Sequence, residues 1–187
     1  MSIKDLKSFI TQQKQKQQEE EEAFIPEEQI KEYQLLVERF YKLVTDSISE
    51  LIEDELIIVD RERIKISEEA LGEYEIDSLL LLINSKKIKF VPAGTMLIGS
   101  KGRIDVFGPF GSEKYLLIRK GVSKPRDLVQ IRVRDASGKH EEPSKLHAKL
   151  TIEDWEWKTL PSDSRWMNFN DVTSETIADL IMRMING

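Results

Sequence analysis

Residues 90–119 read FVPAGTMLIGSKGRIDVFGPFGSEKYLLIR. Three short β-prone runs lie in it, at 95–98, 103–107 and 114–119. Gly99-Ser100-Lys101-Gly102 separates the first two, and Gly108-Pro109-Phe110-Gly111 separates the last two. Glycine reaches the positive φ of tight turns without a Cβ clash. Gly-bounded gaps of four residues between such runs therefore specify an antiparallel meander.

The same punctuation extends outward. Toward the N-terminus, 88–91 and 79–83 are apolar runs, with Asn84-Ser85-Lys86-Lys87 as a hairpin turn between them. Arg63-Ile64-Lys65-Ile66 alternates as a half-buried strand does, and 56–59 is a further β-prone run. Residues 67–72 read as a helical turn that ends at Gly72. Toward the C-terminus, 129–134 alternates and 135–139 reads as a turn. Residues 149–152 with Trp155-Glu156-Trp157, and then 165–169, read as further strands. Trp155 and Trp157 share one strand face, and the expectation is that they pack against the C-terminal helix.

Helical spacing brackets these strands. From Pro26 onward Ile30, Tyr33, Val37, Phe40, Val44, Ile48 and Leu51 recur at intervals of three and four, and Leu36 and Leu43 widen the stripe. Pro near the first position and acids in the first turn mark a helix start, so the pattern predicts a helix to about residue 53. Ile177, Leu180, Ile181 and Met184 form a second stripe over 174–186, with Thr173 or Ser174 as its cap. Helices around a grouped run of strands indicate an α+β fold. The expected architecture is a mostly antiparallel meander of six to eight short strands, flanked by a long N-terminal helix and a C-terminal helix.

The first 25 residues stand apart. Ile3, Leu6, Phe9 and Ile10 sit at helical spacing, and residues 11–22 then contain no apolar side chain at all. Such a stretch has no face to bury, so it is either a solvated helix or a flexible leash. The chain accordingly divides into a polar extension with an apolar tip, 1–25, and a single α+β domain, 26–187.

Composition bounds the function. The chain has 187 residues, 40% hydrophobic and 33% charged, with no cysteine. Disulfides, thiolate metal sites and a cysteine nucleophile are thereby excluded. No apolar run is long enough to cross a membrane and the first residues lack a signal-peptide core, so the expectation is a cytoplasmic protein with no membrane partner. The net charge of -6 hides an asymmetry: residues 1–85 balance at -11, 86–149 at +9 and 150–187 at -4. Either the acidic and basic parts face each other, or the basic part meets a polyanion.

Chemical motifs are sparse. In 94–101 a serine stands between the second glycine and the lysine, so no phosphate loop forms. His140 and His147 have Pro143 between them, which breaks the helix that would align them, and no metal or cofactor is expected. Asp105 and Lys120 have the outline of the Asp and Lys of metal-dependent nucleases, but Ile118 occupies the place of the second carboxylate that Mg²⁺ needs.

The reading that remains is a non-enzymatic interaction or assembly protein. It binds a protein partner, or itself as a homo-oligomer, through Ile3, Leu6, Phe9 and Ile10. The alternative is a nucleic-acid-binding protein, a degenerate nuclease-like module included. It would use the basic segment: Lys86, Lys87, Lys101, Arg103, Lys120, Lys124, Arg126, Arg132 and Arg134.

Overall fold

Hairpin chemistry sets the order of the sheet. The computed structural model describes residues 3–22, 24–95, 100–128, 150–159 and 168–186. Seven strands follow one another: β1 (Ile58–Glu68), β2 (Gly72–Ile83), β3 (Lys86–Gly94), β4 (Gly102–Gly108), β5 (Gly111–Arg119), β6 (Trp155–Thr159) and β7 (Asn170–Asp171). Each pairs antiparallel with the next, and spatial order equals chain order. The helices are α1 (Ile3–Glu22), α2 (Pro26–Ser47), α3 (Ser49–Glu53) and α4 (Ser174–Asn186). The fold is α+β with an antiparallel meander sheet.

Two of the turns are two-residue loops. Ile83 pairs with Lys86 across Asn84 and Ser85, and Asn84 takes φ 55°. Asparagine tolerates that left-handed conformation better than most side chains. Gly108 pairs with Gly111 across Pro109 and Phe110. Gly102 is needed for a close approach instead, because a Cβ there would sit 2.5 Å from the Tyr33 ring.

One face of the sheet carries the core. Leu79, Leu81, Ile88, Phe90, Ile104, Val106 and Tyr115 are buried there under α2 and α4. From α2 come Tyr33, Leu36, Val37, Phe40, Tyr41 and Val44, and from α4 come Ile177, Leu180, Ile181 and Met184. Phe40 stands at the centre. Its ring lies 4.9 Å from Tyr115, 5.4 Å from Trp157, 6.1 Å from Phe90 and 6.3 Å from Tyr41, tilted against each.

Polar groups of α2 and β6 fix how the helix lies on the sheet. The Tyr33 hydroxyl donates to the Arg103 carbonyl at 2.7 Å, and Tyr41 donates to the Asp77 carbonyl at 2.8 Å. Trp157 Nε1 donates to the Leu36 carbonyl at 3.0 Å. Buried donors that find backbone acceptors avoid an unpaired-group penalty of about 1–3 kcal/mol.

The β1–β2 ribbon projects past β3, which pairs only with residues 79–83 of β2. Two-stranded ribbons twist strongly, and this one curls so that Tyr74 and Ile76 join the core cluster. The Glu68 carboxylate closes the curl. It accepts hydrogen bonds from the Tyr74 hydroxyl at 2.5 Å and from the Thr95 amide at 3.0 Å.

Some expectations change. Residues 67–72 form no helical turn; Glu68 and Gly72 are the last paired residues of one long hairpin. The helix expected to reach 53 breaks at Ile48, where φ is -123° and ψ 19°. Thr45 and Ser47 hydroxyls bond back to the carbonyls of Tyr41 and Leu43, a competition that bends helix ends. Ile48 is still buried, whereas Leu51 is exposed. Residues 152–154 are a 3₁₀ turn and not strand. Phe169 is buried coil, and the last strand begins at Asn170. Trp157 packs on α2, its ring against Phe40 and its Nε1 on the Leu36 carbonyl, and not on the C-terminal helix as expected. Thr173 caps α4, its hydroxyl accepting from the Thr176 amide at 3.3 Å. The expected runs at 96–98 and 129–134, the turn at 135–139, residues 165–167 with Trp166, and His140 and His147 lie outside the described residues.

Two measurements probe this packing. Phe40→Ala is expected to cost about 3–5 kcal/mol in urea unfolding, because it leaves a cavity among four rings. A loss below about 1 kcal/mol would contradict the central placement. All four tyrosines have their phenols raised, Tyr33, Tyr41 and Tyr115 chiefly by burial and Tyr74 by burial and its bond to Glu68. Stability from a raised phenol is complete below the unfolded value of about 10 and is lost as pH climbs toward the folded value. Phenolate absorbance should therefore rise in one cooperative step together with loss of circular dichroism. A phenolate step that precedes unfolding would contradict the burial.

Candidate functional site

The apolar tip is the first candidate. α1 is helical through the polar stretch 11–22, since Gln, Lys and Glu are good helix formers. Every described side chain of α1, residues 3–15, is exposed. Ile3 is 86% accessible, Leu6 50%, Phe9 47% and Ile10 56%. The tip does not lie on the sheet of its own chain, and Lys4 and Lys7 flank it with Asp5. Phe24 and Ile25, at the joint to α2, are exposed as well.

A second candidate lies on the flank of α2. Leu36, Phe40 and Leu43 follow one another at intervals of four and three, and they face Trp155 and Trp157 of β6 and Val172 beyond β7. Together they wall an open groove of about 440 Å³. Trp157 pairs with Leu117 and Trp155 with Arg119 across β5, so both indoles project from the face that α2 covers. The Lys101 ammonium stands 5.3 Å from the Trp155 ring centroid and pairs with Glu32 of α2. Trp155 Nε1 is buried and has no acceptor among the described residues.

Charges rim this groove. Arg39 meets Glu153 at 2.8 Å, and Lys158 pairs with both Glu156 and Asp171. Three carboxylates thus stand against two cations. The bond from the Thr151 amide holds the Asp154 carboxyl below its ordinary value. The sequence pattern did not assemble the groove. Its signals were the i, i+3, i+4, i+7 set Leu36, Arg39, Phe40, Leu43 and the tryptophan pair, which lie more than a hundred residues apart in the chain.

The basic candidates fall into two groups. β3 begins where β4 ends, so Lys86 and Lys87 stand at one end of the sheet. Lys101, Arg103 and Lys120 stand at the other end, since Gly102 pairs with Leu117. Several of them have local partners. Lys86 donates to the Ile185 carbonyl at the C-terminus of α4 at 2.6 Å and lies over the Phe110 ring. Arg103 Nε is 3.0 Å from Asp105 Oδ1. Lys124 and Arg126 lie at and beside the 3₁₀ turn Pro125–Leu128. Arg132 and Arg134 lie outside the described residues. Ion pairs such as Glu32–Lys101 and Glu62–Lys89 join the acidic and basic parts of the chain, and Lys89 holds the Glu62 carboxyl below its usual range.

The nuclease outline is not assembled. Asp105 faces Lys114 across the β4–β5 hairpin, Lys120 follows the end of β5, and Ile118 is fully buried. Among the described residues no group of three His, Asp or Glu side chains is arranged to hold a metal ion. None of their helices is long and apolar enough to cross a membrane.

Set against protein-family models, curated proteins and solved structures, the chain has no significant match.

The groove wall is expected to separate into exposed and buried members. Leu43→Asp should change unfolding free energy by less than about 1 kcal/mol, as an exposed substitution does. Leu36→Asp should cost more than about 3 kcal/mol, because it buries a carboxylate under the helix. Equal losses in urea titrations of the two variants would mean that the groove is closed.

Proposed function

We propose that this chain is a non-enzymatic interaction protein that binds a protein partner, a further copy of itself included, through the apolar face of α1. The observation that carries this reading is the exposure of Ile3, Leu6, Phe9 and Ile10, each about half accessible or more, on a helix whose next twelve residues are polar. A helix in water gains nothing from such a stripe until a partner covers it. The polar stretch holds the tip away from the sheet and sets its reach, about 30 Å for a 20-residue helix. Burial of four apolar side chains supplies modest affinity, on the order of a few kcal/mol after ordering costs.

Sparse chemistry supports the same reading. Asp105 is held by Arg103, and the buried hydroxyls of Tyr33 and Tyr41 are bonded to sheet backbone. These two hydroxyls hold α2 to the sheet.

The test compares the full chain, the chain lacking residues 1–22, and Leu6→Asp/Phe9→Asp. Sedimentation and retention of proteins from a native extract are measured for each. Association that depends on residues 1–22 and is lost in the double variant is expected. Identical behaviour of all three would overturn the proposal.

A further inference from the structure

We propose that the groove between α2 and β6 receives the α1 tip of a second copy of this chain, so that two chains exchange their N-terminal helices. The inference rests on the reading of α1 as the docking element and adds where it docks.

The lining comes first. Leu43, Trp155, Trp157 and Val172 line the groove together with Arg39, Glu156 and Asp171, above the buried Leu36 and Phe40, and it is open along one side of a helix. A helix with apolar residues at i, i+3, i+6 and i+7 lays such a stripe into a groove of this kind. Charge fits next. The rim carries Glu153, Glu156 and Asp171 against Arg39 and Lys158. The tip carries Lys4 and Lys7 against Asp5, so the net charges of rim and tip are opposite in sign.

The joint between α1 and α2 favours a second copy over the same chain. Only Ala23, Phe24 and Ile25 separate Glu22 from Pro26, and no glycine occurs among residues 1–25. Proline restricts the residue before it to extended backbone, and Ile25 has φ -110° and ψ 105°. Short hinges that resist closing within one chain promote exchange between chains. A two-fold arrangement then uses each tip and each groove once.

The absence of cysteine makes the test clean. Leu6→Cys and Leu43→Cys are prepared as single variants at exposed positions, mixed, and oxidised mildly. Sedimentation of the unmodified chain and of Leu6→Asp runs alongside. A mixed disulfide between the two variants that exceeds both self-linked products is expected. Leu6→Asp should raise the dimer dissociation constant tenfold or more at an unchanged urea midpoint. A dominant Leu6→Cys self-link would overturn the groove as the receptor while α1 remained a docking element. A monomer at all concentrations in which one chain carrying both Leu6→Cys and Leu43→Cys links to itself would overturn the exchange in favour of closure within the chain. A monomer with no link of either kind would overturn the exchange outright, and the deletion of residues 1–22 then reports separately whether α1 binds another protein.

Discussion

The contact of Phe40 with the sheet governs this molecule. One side chain of α2 touches rings contributed by β3, β5 and β6. That contact holds three strands whose residues are spread over nearly seventy positions of the chain. Aromatic pairs at these separations add about 0.5–1.5 kcal/mol each beyond the area they bury. The tyrosines on either side of Phe40 act with it: Tyr33 and Tyr41 bury their rings and pass their hydroxyls to sheet carbonyls. The helix is thereby fixed in rotation and position, and the flank that it presents to β6 is fixed as well. The groove lies beside the contact of Phe40 with Trp157.

The sheet has two unlike edges. β1 is long, paired only on one side, and rich in charge, with Asp60, Arg61, Glu62, Arg63 and Lys65 in succession. Charged edge strands discourage pairing with another sheet. At the opposite edge β7 is two residues long, which leaves little ladder to extend. Neither edge invites a further strand, so association through the described residues would use exposed side chains, those of α1 among them, rather than the ladder.

Legibility followed the range of each interaction. The β3–β5 meander was readable because its information is local: glycines bounding the turns and β-prone runs between them. The stripes of α2 and α4 were equally local. The β1–β2 hairpin was half-missed, since Ser67, Glu68 and Glu69 look like a helix start while Glu68 answers to Tyr74 and Thr95. Tyr41 was overlooked as a core residue because its polar tip finds the Asp77 carbonyl, a partner that spacing does not reveal. The tryptophans were placed correctly on one face and paired with the wrong helix, since the order of strands decides which helix lies above β6. The α1 tip was readable as an apolar set at helical spacing, but not whether it lies on its own sheet. The groove beside α2 was not readable either, because its walls come from three separate segments.

The plain order of the strands has a kinetic side. Each strand hydrogen-bonds only to its neighbours in the chain, so ladder formation requires only short loops to close, apart from the longer connection between β5 and β6. Such topologies have low contact order and zip quickly. α2 is the exception. It precedes every strand, yet Phe40 needs Tyr115 and Trp157, which arrive much later. While the chain is being made, the apolar stripe of α2 waits without its cover, and it is in that interval that the nascent protein is most exposed to wrong associations.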